Sequence, residues 1–226
     1  MSALKRLRLK HLVVFIAAVS AIILIFSAAF SSCNRKLEFR QSYFFVYYKI
    51  QQDANSASSI SSTVQSYGGA GYIIKSGNNY YITIACYYSD PDAQIVCSNL
   101  QTKGLPCSVL KRSVESYALN SSNAEKNKEK YSGNLNTLNS LSRLCYETAN
   151  AVDTGQCDQI KAKSVLADVK STLSGLLRAN SSNCFTAELS YLITECEDVS
   201  YGYVYSRDIR KLQIALIDCI LNIKLY

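Results

Sequence analysis

The sequence predicts an α+β fold: a β-α-β-β-α-β (ferredoxin-like) unit followed by a small α-helical bundle. Three observations predict it. The same apolar pattern occurs twice between Val46 and Val109, and residues 12–30 form an uncharged apolar run. Beyond Ser113 the strand signal gives way to helical spacing.

The first copy of the pattern is marked by Val46, Ala57, Ile60, Val64, Gly68 and Ile73. The second is marked by Ile82, Ala93, Val96, Leu100, Gly104 and Val109, each 36 residues further on with no gap. Each copy reads strand, helix, Gly, strand: alternating apolar positions (Val46, Tyr48; Ile82, Ile84), an Ala/Ile/Val stripe at helical spacing, then a Gly and a second short strand. Two such units in tandem place two helices on one antiparallel sheet.

The second copy, Tyr80-Tyr81-Ile82-Thr83-Ile84-Ala85-Cys86-Tyr87-Tyr88-Ser89-Asp90-Pro91-Asp92-Ala93, resembles the SPOR (sporulation-related repeat) domain position by position. That family typically reads aromatic-x-V-x-V-G-x-F, a polar linker and an Ala that opens a helix. Ala85 stands where the family usually has Gly, Cys86 where Pro is common and Tyr87 where Phe is usual. In the first copy Lys49 replaces the Gly and Gln51 the aromatic. The resemblance covers about a third of the chain.

Alternate strand side chains point to opposite faces. With Val46, Tyr48, Ile82 and Ile84 toward the helices, Phe45, Tyr47, Lys49, Tyr72, Tyr81 and Thr83 fall on the other face. The resemblance implies that this face receives glycan strands of peptidoglycan stripped of their stem peptides. Aromatic rings would stack on sugar faces, and Lys49 would meet the lactyl carboxylate. A plainer expectation stands beside it: aromatics are favoured in strands anyway, and the helical region that follows directly is able to pack over the sheet. RNA-recognition domains share the topology, but their Lys/Arg-Gly-aromatic motif is missing and the export segment separates this chain from RNA. No nucleic-acid partner is expected.

Residues 12–30 are just long enough to span a hydrocarbon core as a helix. Lys5, Arg6, Arg8 and Lys10 precede the run and Arg35, Lys36 and Arg40 follow it, so the short end is expected inside and the body outside the bacterial cytoplasmic membrane. A cleaved signal peptide, or a lipoprotein site at Phe30-Ser31-Ser32-Cys33, fits the same stretch. All three readings export the body. The net charge of +7 includes those four amino-terminal cations and leaves little to argue for nucleic acid. The expected organisation is a basic tail over 1–11, a transmembrane helix or signal anchor over 12–30 and a linker over 31–41. The SPOR-like domain follows over 42–112 and the helical bundle over 113–226.

Within that bundle Ser122 and Glu125 suit a capping box, and Leu135, Leu138, Leu141 and Cys145 make the first apolar stripe. Further helices are expected over 156–178, 182–199 and 207–225, joined by short links and therefore antiparallel neighbours. No motif in this half carries chemistry. Its expected role is structural, or the docking of envelope or division proteins.

Eight cysteines follow Cys33. Cys184 and Cys196 would lie about 18 Å apart along one helix, too far to bridge. An up-down bundle instead brings Cys184 to Cys219, and Cys157 to Cys196 or Cys145. Buried free thiols acting as small hydrophobes are the competing reading. No C-x-x-C pair exists and the only histidine is His11, at the inner edge of the apolar run, so no metal, cofactor or Cys/Ser-His catalysis is expected. Glu188, Glu195, Glu197 and Asp198 read as the solvated side of a helix, and Asp90 and Asp92 as first-turn carboxylates. The expectation is a non-catalytic, membrane-anchored peptidoglycan binder at the division or sporulation septum. The alternative is an envelope assembly protein whose SPOR-like fold mediates protein contacts without glycan.

Overall fold

A computed structural model describes residues 36–119, 126–180 and 185–225. The apolar run 12–30, Cys33, the Ser122/Glu125 capping box and Cys184 lie outside the described residues. Among the described residues no helix is long and apolar enough to cross a membrane.

The repeat region folds as β1 (Lys36–Gln51), α1 (Ala54–Ser66), β2 (Tyr72–Ser76), β3 (Asn79–Tyr87), α2 (Asp90–Thr102) and β4 (Ser108–Ala118). The strands form one antiparallel sheet in the order β2-β3-β1-β4, with β1 paired to both β3 and β4. The two copies share their helix boundaries. Asp53 caps α1 by accepting from the Ser56 amide at 2.7 Å, and Ser89 caps α2 at the Asp92 amide. Each helix then ends on a glycine with positive φ, Gly68 at 87° and Gly104 at 82°. The following amide reaches back five residues, Gly69 to the Val64 carbonyl and Leu105 to that of Leu100, both at 3.0 Å. That bond satisfies a helix-end carbonyl and requires the left-handed turn.

The sheet is longer than the pattern suggested. β1 begins at Lys36, so residues 36–41 of the expected linker are strand, and β4 continues past Ser113 to Ala118. Leu37 pairs with Tyr117 across an irregularity between Glu38 and Gln41. The polar residues Arg40, Gln41, Ser42, Arg112 and Ser113 interrupt the apolar alternation there, which hides the extension from a reading of periodicity.

Four helices complete the chain: α3 (Lys128–Asp153), α4 (Gln159–Ala179), α5 (Thr186–Ser200) and α6 (Ser206–Asn222). α3 packs along α6 and α4 along α5, with α5 against α6 closing the bundle. Asp158 caps α4 through the Lys161 amide at 2.8 Å. The two helices of the repeat cover one sheet face over Val46, Ala57, Val64, Ile82, Ala93 and Cys97. α3 and α6 cover the other. Leu37, Phe39, Tyr43, Phe45 and Ile74 from the sheet merge with Leu135, Leu138, Leu212 and Leu216 from the helices into one continuous core.

Candidate functional site

The face on which a glycan was expected is built by β1, β2 and β3 and carries Phe45, Tyr47, Tyr72, Tyr81 and Thr83, whereas an irregularity after Tyr47 pairs Lys49 with Ile82 and so turns it to the α1-covered face. The surroundings of the expected face differ too. Phe45 is 0% exposed beneath the helices, and so is Thr83, whose hydroxyl donates to the Tyr72 carbonyl at 2.7 Å. Tyr72 is half-buried, and its phenol donates to the Asp218 carboxylate of α6 at 3.2 Å. These three side chains have protein partners where a sugar was expected. The reason is physical: an apolar sheet face and two amphipathic helices bury one another.

Three expected residues remain accessible. Lys49 is exposed, and Tyr47 and Tyr81 are half-buried with ring centroids 5.2 Å apart in an edge-on contact. The Lys49 ammonium lies 5.2 Å from the Tyr48 ring centroid. Tyr47 and Tyr81 thus form a small accessible aromatic pair, with Lys49 and Tyr48 placed by the register on the α1 side.

The clamp between sheet and bundle involves residues that periodicity does not single out. Tyr43 donates to Asn139 at 3.0 Å, Tyr88 shares a 2.7 Å hydrogen bond with Ser142, and Gln213 donates to the Cys86 carbonyl at 3.1 Å. Tyr117 donates to the carbonyl of Ile220. Arg112 lies 3.5 Å from Asp218 and bonds Asn222 at 3.2 Å. Burial pushes the Asp218 carboxyl above its ordinary range, against the opposing pull of the Arg112 cation and of the Tyr72 and Asn222 hydrogen bonds. Burial, then the neighbouring Asp218 charge, raises the Tyr72 phenol far above its ordinary value. A signal existed for two of these: Gln213 and Asp218 are polar residues inside the otherwise apolar stretch Leu212–Leu221.

The expected disulfides fare differently. Cys157 and Cys196 are free buried thiols, the first directed at the Asp158 carbonyl at 3.6 Å and the second at that of Leu166 at 3.2 Å. They have separate backbone acceptors and are not joined. Cys219 is half-buried on α6, and its expected partner Cys184 lies outside the described residues. Among the described residues no group of three or more His, Cys, Asp or Glu is placed to hold a metal. A polar groove of about 360 Å³ runs beside β1 and β4, lined by Arg40, Ser42, Lys111, Ser113 and Arg143. Arg143 stacks over the Tyr88 ring at 4.2 Å within it.

No family model matches the chain, and no curated protein matches it. Among solved structures it is similar to the solution structure of the peptidoglycan binding domain of the B. subtilis cell wall lytic enzyme CwlC. The likeness covers 32% of this chain and 91% of that one, at 15% sequence identity and a TM-score of 0.28.

Proposed function

We propose that this protein is a non-catalytic assembly protein of the bacterial cell envelope, in which the SPOR-like sheet is fused to a helical bundle and serves protein contacts. One observation carries the reading: Phe45, at the centre of the face a glycan would need, is fully enclosed by the chain's own helices. A ligand reaching it would have to displace α3 and α6 from a shared core, at a cost of many buried side chains, each worth about 1.5–3 kcal/mol. Further support comes from the α5–α6 link, where Tyr201, Tyr203 and Tyr205 are 90%, 62% and 47% exposed. Tyrosine is a residue type that protein interfaces favour. The export segment over 12–30 supports an envelope location, anchored with the body outside.

A second reading keeps peptidoglycan as the partner, at the septum, but confines it to the rim of Tyr47 and Tyr81. It is favoured by their accessibility. Co-sedimentation of the detergent-solubilised full chain with intact and with amidase-stripped sacculi separates the two. The assembly reading expects the protein in the supernatant with both. Retention on stripped walls that Tyr47→Ala with Tyr81→Ala abolishes would overturn it and establish the rim as a glycan site.

A further inference from the structure

Cys97, in α2, and Cys107, the residue before β4, are both buried, and their sulfur atoms lie 2.8 Å apart. That is well inside the about 3.5–4.0 Å at which even smaller non-bonded carbon atoms rest. The Cys107 thiol also donates to the Cys97 carbonyl at 3.1 Å, and Gln101 donates to the Cys107 carbonyl at 2.8 Å. The loop between them is thereby held against its helix. The internal repeat makes the same point independently. Thirty-six residues earlier the corresponding positions are Ser61 and Gly71, and there the Ser61 hydroxyl donates to the Gly71 carbonyl. The fold brings this helix position and this pre-strand position together in both copies, and only the second copy places cysteine at both.

We infer that Cys97 and Cys107 form a disulfide that fastens α2 to β4. The geometry of helix and loop already provides the approach, so little backbone movement is needed. A low-molecular-weight disulfide such as oxidised glutathione is the oxidant. One cysteine, as thiolate, attacks it to give a mixed disulfide and releases the first small thiol. The second cysteine then attacks its neighbour's sulfur, closing the protein bond and releasing the second small thiol. Each cysteine loses its proton, and the two electrons leave with the reduced small molecule. Burial pushes the Cys107 thiol up to about 12 in the folded protein, which keeps it protonated and unreactive. A structural bond of this kind belongs to an oxidising compartment. The inference is independent of what the protein binds.

The test is refolding of the full chain, solubilised in detergent, in a buffer of oxidised and reduced glutathione, followed by alkylation and trypsin digestion without reductant. Cleavage after Lys75, Lys103 and Lys111 puts Cys97 on the peptide 76–103 and Cys107 on 104–111. The expected product is those two peptides joined, lighter than their sum by the two thiol hydrogens, and separated by reductant. Cys86 shares the first peptide, so Cys86→Ala should leave the link intact and Cys97→Ser should abolish it. In addition, reductant should lower the thermal midpoint of the natural chain but not that of Cys97→Ser with Cys107→Ser. Full alkylation of both cysteines in refolded protein with a cooperative melt would overturn the inference, as would a link that survives Cys97→Ser.

Discussion

Truncating Phe45 to alanine tests whether the second sheet face is a core or a surface. Its ring is 0% exposed, and it belongs to the cluster that joins the sheet to α3 and α6. Removing a buried phenylalanine forfeits its transfer free energy and leaves a cavity, together about 3–5 kcal/mol. Against a total stability of about 5–15 kcal/mol for a domain, that is a large fraction. With roughly 2–4 °C lost per kcal/mol for a chain of this size, the melting midpoint should fall by about 6–20 °C. Because Phe45 belongs to a core shared by both halves, sheet and bundle should continue to unfold in one transition. Urea denaturation followed by far-UV circular dichroism and by tyrosine fluorescence measures both points. A loss below about 1 kcal/mol is what an exposed face would give. That result, or a bundle transition separate from that of the sheet, would refute the shared core and return the face to a ligand.

Two further outcomes are expected. Asp218 has its folded pKa raised by burial, so its contribution to stability is fully present below the unfolded value of about 3.9 and is lost as pH rises through the folded one. Asp218→Asn should therefore gain stability relative to the natural chain as pH rises across the carboxylate range, measured by denaturant titrations at several pH values. An unchanged difference would mean the carboxyl is not desolvated. Gly71 has φ +63°, and a Cβ there would lie 2.7 Å from the Ser61 carbonyl oxygen, whereas Gly77 at φ +59° has open space around it. Gly77→Ala should cost about 1–2 kcal/mol for the left-handed conformation alone. Gly71→Ala should cost more, and equal losses by thermal melting would contradict the close approach.

The repeat was legible because both copies solve one packing problem with one set of residues. Val46 and Ile82 lie under the repeat helices, and Gly68 and Gly104 terminate those helices with the same backward hydrogen bond. The bundle helices were legible from their apolar stripes, although α4 begins at Gln159 because Asp158 caps it. The fate of the other sheet face was not legible. Period-two alternation states that Phe45, Tyr72 and Thr83 share a face, and says nothing about whether that face meets sugar, water or helix. The answer depends on contacts such as Tyr43 to Asn139 and Gln213 to Cys86, at sequence separations of 96 and 127 residues. Local pattern carries no information on pairings of that range. Cys97 and Cys107 stand in the sequence as two cysteines ten residues apart within the second copy, but only coordinates reveal that their positions touch.

β1 begins at Lys36, with only five residues between it and Phe30. A chain fully extended reaches at most about 3.6 Å per residue. If residues 12–30 are held in a bilayer, residues 31–35 give a tether of about 20 Å at the longest. The folded body would then rest against the membrane surface with almost no radius of search. A module on so short a leash cannot sweep outward to find a distant polymer. Held so, it would meet what shares its membrane, and the molecules within its reach would be other proteins anchored alongside it.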